Sequence, residues 1–420
     1  MTQGFYTGIS GIRNSSTGID ILSNNLANVS TVGYRAYTTE FSSLFEDAMS
    51  MTVGPSDSVG LGVQVQASSM VRDQGSLALS DKSTDLAIMG DGWFGVQRDG
   101  APAYTRDGAF TFDENNDLVT TDGYYVLGTM GGNISDDAVL TNQLAEENLS
   151  DVNTQEKLRF PKTLTYPPEP STIAKFMANL GTGAEEDPQT ITAGAGVIDP
   201  EGTKNNLRLA FTKDAVQNPP GTQWSVVATT QTLDGETIYD TQTGKVFFSD
   251  QGALLSTTLS SIDNNGTPVA IDLGSGYDGI VSINTPLASG SSTADGNIGG
   301  DLEGYAINQN AEVIATFTNG KQSSVGKIAV YHFGNEQGLD RLSGTRFEES
   351  SNSGRPLFYV DANGKNINGT EVSNFRLESS NVDMAVGLTD LIILQRSFDA
   401  NSKSVTTADQ MMQKALQMDA

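Results

Sequence analysis

Apolar residues recur every seven positions at both ends of the chain. Near the start, Phe5, Ile12, Ile19 and Leu26 keep that spacing, with Leu22 and Val29 three residues after the last two. Near the end, Met384, Leu391, Phe398, Val405 and Met412 do the same, with Leu394, Ala408 and Ala415 on the neighbouring position. A seven-residue repeat predicts a helix presenting one narrow apolar stripe to a partner helix. Two such stripes at opposite ends of one chain favour pairing with each other as a coiled coil over separate docking on a globular core. Gly8, Ser15 and Gly387 lie in the seam and are expected to weaken it. The ends should therefore be marginal in a single chain and become ordered when further copies cover them.

Between about 60 and 375 the helical period fades and turn chemistry takes over. Strand-like runs at 62–70, 109–128 and 223–230 are separated by Gly, Asn and Asp clusters. Thr243-Gly244 and Asn264-Asn265-Gly266, each set between apolar runs, predict two hairpins. Short strands without intervening helical periods suggest antiparallel sandwiches or barrels. A proline-rich stretch at 165–172 and a Ser/Gly-rich stretch at 286–300 bracket a separate unit. The expected fold is mainly β with α-helical termini. Its parts are an N-terminal helix and linker at 1–70, a middle β-domain from 71–150 plus 298–375, an outer β-domain at 151–297 inserted into it, and a C-terminal helix at 376–420.

Length and charge narrow the function. At 420 residues the chain is long enough for two to four domains. Its formal charge of −27 argues against nucleic acid and anionic membrane surfaces as partners. Residues 1–30 carry only Arg13 and Asp20, as befits a segment destined for a packed interior. With no cysteine and a single histidine, His332, thiol chemistry, disulfides and sites built from several imidazoles are excluded. The first residues show neither the basic nor the apolar region of a secretory signal. LIIL at 391–394 is far short of the roughly 20 residues that span a bilayer.

Candidate chemistry is sparse. Asp113-x-Asn115-x-Asp117 opens like a calcium loop, but Leu118 and Tyr124 stand where Gly and Glu are needed, so a turn is expected. The Gly-rich pieces at 60–62 and 274–276 do not join a strand to a helix start, as a phosphate cradle would. His332 lies in an apolar strand-like run and reads as a structural histidine. Glu185-Glu186-Asp187 reads as a solvated loop. No catalytic, cofactor or metal site emerges, and no enzyme is expected.

Three stretches carry a family resemblance. LSNNLANVSTVGYRAYTTEFSSLF (22–45) resembles the N-terminal signature of bacterial flagellar axial proteins of the rod and hook group, through Asn24-Asn25, Ala27-Asn28, Thr31, Gly33 and Arg35. Residues 74–119 resemble the β-domain entry of that group. Residues 376–416 are similar to its C-terminal helix, with Ser380-Asn381-Val382-Asp383, Gln395-Arg396 and Asn401-Ser402-Lys403 in register. The run 314–356 resembles hook proteins in particular, and the room for a large outer unit favours them over shorter rod members. Residues 151–297 carry no resemblance.

The resemblance implies a structural subunit that polymerises with many copies of itself into a curved helical tube. Such a tube is a universal joint passing torque from rod to filament. It further implies the distal rod protein, the hook cap, the hook–filament junction protein and the flagellar export apparatus as partners. Export would proceed without a cleaved signal, to an extracellular place on the flagellum. The assembly residues it points to are Phe5, Ile12, Ile19, Leu22, Leu26, Asn28, Val29 and Gly33, then Met384, Leu391, Leu394, Phe398, Val405 and Met412. A distal rod subunit, or a secreted adhesin on a flagellar-type scaffold, is the alternative.

Overall fold

The computed structural model describes residues 2–44, 62–182, 190–217, 221–285 and 288–418. The chain is mainly β, with one long helix at each end: α1 (Thr2–Ala27) and α2 (Met384–Met418). Asp383 starts α2 as its N-cap, its Oδ1 accepting the N–H groups of Ala385 (2.8 Å) and Val386 (3.1 Å). After α1 the chain reverses through Gly33, whose φ of +66° is left-handed.

From α1 the chain enters an antiparallel ribbon, Tyr37–Leu44 against Gly62–Met70. The ribbon lies along α1, where Asn14 donates to the Val63 carbonyl and Ser10 Oγ accepts the Val63 N–H at 3.3 Å. Residues 60 and 61 of one Gly-rich piece, and Glu185-Glu186-Asp187, lie outside the described residues.

A large sheet forms the central body. Its main path runs Thr165–Tyr166, Gly300–Ile307, Glu312–Phe317, Gln322–Ile328, Tyr125–Met130, Trp93–Arg98, Ala101–Thr105, Arg346–Glu348 and Asp340–Ser343. Early and late parts of the chain meet where Thr129 pairs with Lys327 and Phe94 with Val330. The core alternates along these strands: Phe94, Val96, Phe110 and Val126 pack with Val313, Phe317, Val325 and Ile328. The polar, acidic stretch 134–157 contributes Leu140 and Leu149 to buried clusters.

The buried members of a second core run from Ala174 to Ile280, with Ala294 packed against them. A five-stranded antiparallel sheet (Thr190–Ile198, Lys204–Lys213, Gln223–Thr232, Ile238–Phe248, Leu254–Thr257) turns Leu207, Leu209, Phe211, Trp224, Val226 and Ala228 inward. Two four-stranded sheets supply Ile262, Val269, Ile271 and Ile280, and Phe176 comes from the link between Ile173–Lys175 and Ala178–Asn179. The Ser/Gly-rich stretch is more than a connection. Thr293 pairs with Lys175, and Asn297 bridges Glu169, so the chain returns beside its outgoing path.

One expected hairpin is absent. Ile238–Phe248 is a single strand through Thr243-Gly244, paired with Gln223–Thr232 along its length. Gly244 is there for closeness, since a Cβ on it would lie 2.9 Å from Leu259 Cβ. The other expected hairpin forms, with Asn264 paired to Thr267 and Asn265 at φ +51°. Asp113 makes a turn, its Oδ1 accepting the N–H groups of Asn115 and Asp117, both at 2.8 Å. His332 is buried, Nε2 within 2.6 Å of the Asn368 carbonyl.

Candidate assembly site: the helix pair and the junction at its base

The two terminal helices pack antiparallel. Val405 lies over Gly8, Asn401 over Gly11, Leu394 over Gly18, and Leu26 of α1 over Gly387 of α2. A Cβ on Gly11 would lie 2.5 Å from Asn401 Nδ2, and one on Gly18 2.8 Å from Leu394 Cδ1. Ser15, buried, faces Ser397 across the pair, with the hydroxyls 3.5 Å apart. The line of closest approach on α1 is therefore Gly8, Gly11, Ser15 and Gly18. Gly8, Ser15 and Gly387, expected to weaken the seam, are where the two backbones come together.

The expected seam residues flank that line. Phe5, Ile12, Ile19, Leu22 and Leu26 on α1, and Leu391, Leu394, Phe398, Val405 and Met412 on α2, are each half-buried. Met384 is different, 52 % exposed at the start of α2. Beyond it Val386, Leu388, Ile392 and Ile393 also stay about half exposed on the side of the helix away from α1, with Met411 further along.

At the base of the pair the N- and C-terminal signatures meet. Asn25 Oδ1 accepts from the Tyr37 N–H (3.1 Å) and the Tyr34 hydroxyl (3.2 Å), while its Nδ2 donates to the Tyr37 carbonyl (2.7 Å). Asn381 does the same work from the other end: Oδ1 accepts the Ala36 N–H (2.7 Å), and Nδ2 donates to the carbonyls of Val71 (3.1 Å) and Asp73 (2.8 Å). The buried Gly33 donates its N–H to the Glu378 carbonyl at 2.7 Å. Asn28 and Val29, both half-buried, lie in the turn that closes α1, where Asn28 Oδ1 accepts the Thr31 hydroxyl.

A buried charge cluster ties this junction to the central body. The Glu378 carboxylate faces Arg35 Nη2 at 3.0 Å and Arg106 Nη1 at 3.3 Å, and all three side chains are at most 3 % exposed. Arg35 comes from the segment after α1, Arg106 from the body, and Glu378 from the strand leading to α2. Burial, with Arg35 close by, pushes the Arg106 guanidinium down to about 10 against the pull of Glu378. It still carries its charge at neutral pH, and its plane sits 5.4 Å from the Trp93 ring. Arg341 of the body stacks over Tyr34 (5.0 Å) and Tyr37 (5.6 Å), a second clamp on the same segment.

The heptads point to the helix pair, but its small-residue seam and the charge cluster escape a reading by repeats. Arg35, Arg106 and Glu378 each lie in a stretch that carries the family resemblance, but nothing in those stretches marks them as partners, and they meet only through the fold. Among the described residues, no three or more His, Cys, Asp or Glu gather as a metal site requires, and no helix is long and apolar enough to cross a membrane.

Both halves of this site match known families. Residues 5–35 fit the flagella basal body rod protein model, 87–156 the flagellar hook protein FlgE/F/G D1 domain, and 374–418 the flagellar basal body rod FlgEFG C-terminal model. These define the class, the rod and hook axial proteins of the bacterial flagellum. Flagellar hook protein FlgE of Brucella suis is 30% identical over 430 residues, spanning 97% of this chain and 96% of that protein. FlgE of Borreliella burgdorferi is 29% identical over 458 residues and spans all of both chains. The crystal structure of Helicobacter pylori hook protein FlgE2 shares the fold, with a TM-score of 0.51 at 15% identity, covering 72% of this chain and 100% of that one. The chain belongs to the flagellar hook protein FlgE family, and it is a hook subunit, a structural component of the bacterial flagellum.

Proposed function

We propose that α1 and α2 pair as a coiled coil that lines the inner wall of the hook tube. The central body, from about 71–170 with Thr165–Tyr166 in its sheet plus 298–375, would form the middle shell, and an inserted unit at about 171–297, built on the second core, the outer surface. One observation carries this reading. Val386, Leu388, Ile392 and Ile393 stay about half exposed, spread over the side of α2 turned away from α1. An isolated helix pair gains nothing from that second face; a helix packed among copies of itself does.

The assembly is heterologous, each copy placing one surface against a different surface of the next, so it grows as a helix instead of closing. A tube that bends while it turns needs inner contacts that hold and outer contacts that slide. The α1–α2 seam, the junction at its base and the two arginines on Glu378 suit holding. The outward face of the five-stranded sheet is mainly small and polar, with Thr192, Asn206, Arg208, Thr241 and Thr243 around the apolar Val227 and Ile238, and suits sliding. The subunit would leave the cell through the flagellar export apparatus without a cleaved signal and work outside it. There it would meet the distal rod protein, the hook cap and the hook–filament junction protein at the tube's ends and tip.

The test is assembly of purified chain carrying Ile19→Asp or Leu391→Asp. Each should abolish polymerisation while the β circular dichroism signal and its melting are kept. Polymers of normal length from either variant would overturn the proposed wall.

A further inference from the structure

The central body holds an exposed pair of apolar side chains on a strained backbone, and its own fold does not use them. Phe375 has a φ of +55°, a left-handed conformation that bulky side chains rarely adopt. The conformation has a local cause. Phe375 sits where one strand changes partners, from the Leu86–Met89 strand (Asn374 opposite Leu86) to the Leu77–Leu79 strand (Arg376 opposite Leu79). Ser80 donates its N–H to the Phe375 carbonyl at 2.8 Å and holds the bend.

Glycine or asparagine would take this bend with less strain. A phenylalanine would be justified if its ring filled the core, yet Phe375 is 43 % exposed. Leu79, beside it on the paired strand, is 83 % exposed. Strain kept at a position whose side chain faces outward points to a use outside the chain.

We propose that Leu79 and Phe375 form a body-to-body contact covered by a second copy of this chain in the polymer. This rests on the hook-subunit reading and extends it from the helices to the middle shell. Three observations favour a second copy as the occupant. Hook subunits are polymeric, so every body has neighbours of its own kind. Phe375 lies three residues before Glu378, so the pair stands on the body next to the junction from which the assembly helices leave. The exposed charges beside it are Lys82 and Arg376 against Asp81, a local excess of positive charge on a chain whose net charge is −27. That excess attracts an acidic neighbour, and every copy is acidic.

The natural lack of cysteine gives a clean test. A Leu79→Cys chain carries one thiol, and its rate of maleimide labelling is compared between monomer and assembled polymer. The expected result is fast labelling of the monomer and at least about tenfold slower labelling of the polymer, as for a side chain in the dry centre of an interface. Equal rates in the two forms overturn the contact and leave the hook reading standing; an unsubstituted, folded chain that does not assemble at all counts against both. A second variant separates contact from fold. Phe375→Gly should melt no lower than the parent, because it relieves the bend, while the monomer concentration needed for polymerisation rises severalfold. A lower melting temperature with unchanged assembly would make Phe375 a residue of the fold and overturn the proposal.

Discussion

Replacing Glu378 by Gln takes away the carboxylate that Arg35 and Arg106 share and leaves two buried guanidiniums facing each other. Removing one partner of a buried ion pair costs about 3–5 kcal/mol, because the remaining charge stays out of water without compensation. Gln keeps an oxygen for the Gly75 N–H, which Glu378 Oε1 accepts at 3.1 Å, so the lower end, about 3 kcal/mol, is expected. For a unit of this size each kcal/mol moves the midpoint by about 2–4 °C, so melting should fall by roughly 6–12 °C. The assay is thermal unfolding of the monomer followed by tryptophan fluorescence. The chain has two tryptophans: Trp93, beside Arg106, and Trp224, in the second core. With Trp224→Phe as background, Trp93 alone reports the body. Arg35→Met is the control, since it leaves Arg106 and Glu378 as a neutral pair and should cost less. A loss below about 1 kcal/mol for Glu378→Gln, or a larger loss for Arg35→Met, would refute the argument.

Other substitutions probe the junction, the seam and the lone histidine. Gly33→Ala should cost at least about 2 kcal/mol, since a Cβ there would lie 2.6 Å from the Arg106 carbonyl carbon on a left-handed backbone; denaturant unfolding of the monomer reads it. Gly11→Leu should stop polymerisation, because Asn401 occupies the space, while the β-body unfolds within about 0.5 kcal/mol of the parent; sedimentation and chemical denaturation distinguish the two effects. Burial lowers the His332 pKa below its ordinary 6.5, despite the hydrogen bond to the Asn368 carbonyl. The unfolded chain then binds more protons between the folded midpoint and 6.5, so stability rises with pH across that window. With one histidine, a proton NMR titration of its imidazole gives the midpoint directly, and a value at or above 6.5 would contradict the burial argument. Asp214 is raised by burial, but bonds from Ser225, Gln223 and Lys245 outweigh this and hold it below its usual value. Its contribution is present above the unfolded pKa and lost as pH falls through the folded one, so Asp214→Asn should flatten the acid limb of unfolding of the five-stranded sheet.

The helices, and the β character between them, could be read from the chain because both follow from local repeats. Phe5 to Leu26 and Met384 to Met412 show their period in one dimension. The line of contact does not. Gly8, Gly11 and Gly18 are poor helix formers taken singly, and only Val405, Asn401 and Leu394 of α2 turn them into close-packing positions. Gly244 misleads for the same reason: next to Thr243 it looks like a turn, whereas Leu259 needs its missing side chain. The Ser/Gly-rich stretch near 290 reads as a linker by composition, yet Asp295 Oδ1 accepts the N–H groups of Thr172 (2.8 Å) and Ile173 (3.0 Å) and fixes it beside the outgoing chain. The charge cluster is the hardest to foresee. Arg35, Arg106 and Glu378 come from three distant segments, and nothing local marks a buried arginine from a solvated one.

The most direct test of a hook subunit with its second core outermost is immunogold electron microscopy of intact cells, using antibody raised against residues 174–280. The account predicts gold confined to a short curved segment between the cell body and the filament. Label along the whole filament, or no label on any surface appendage, would contradict it.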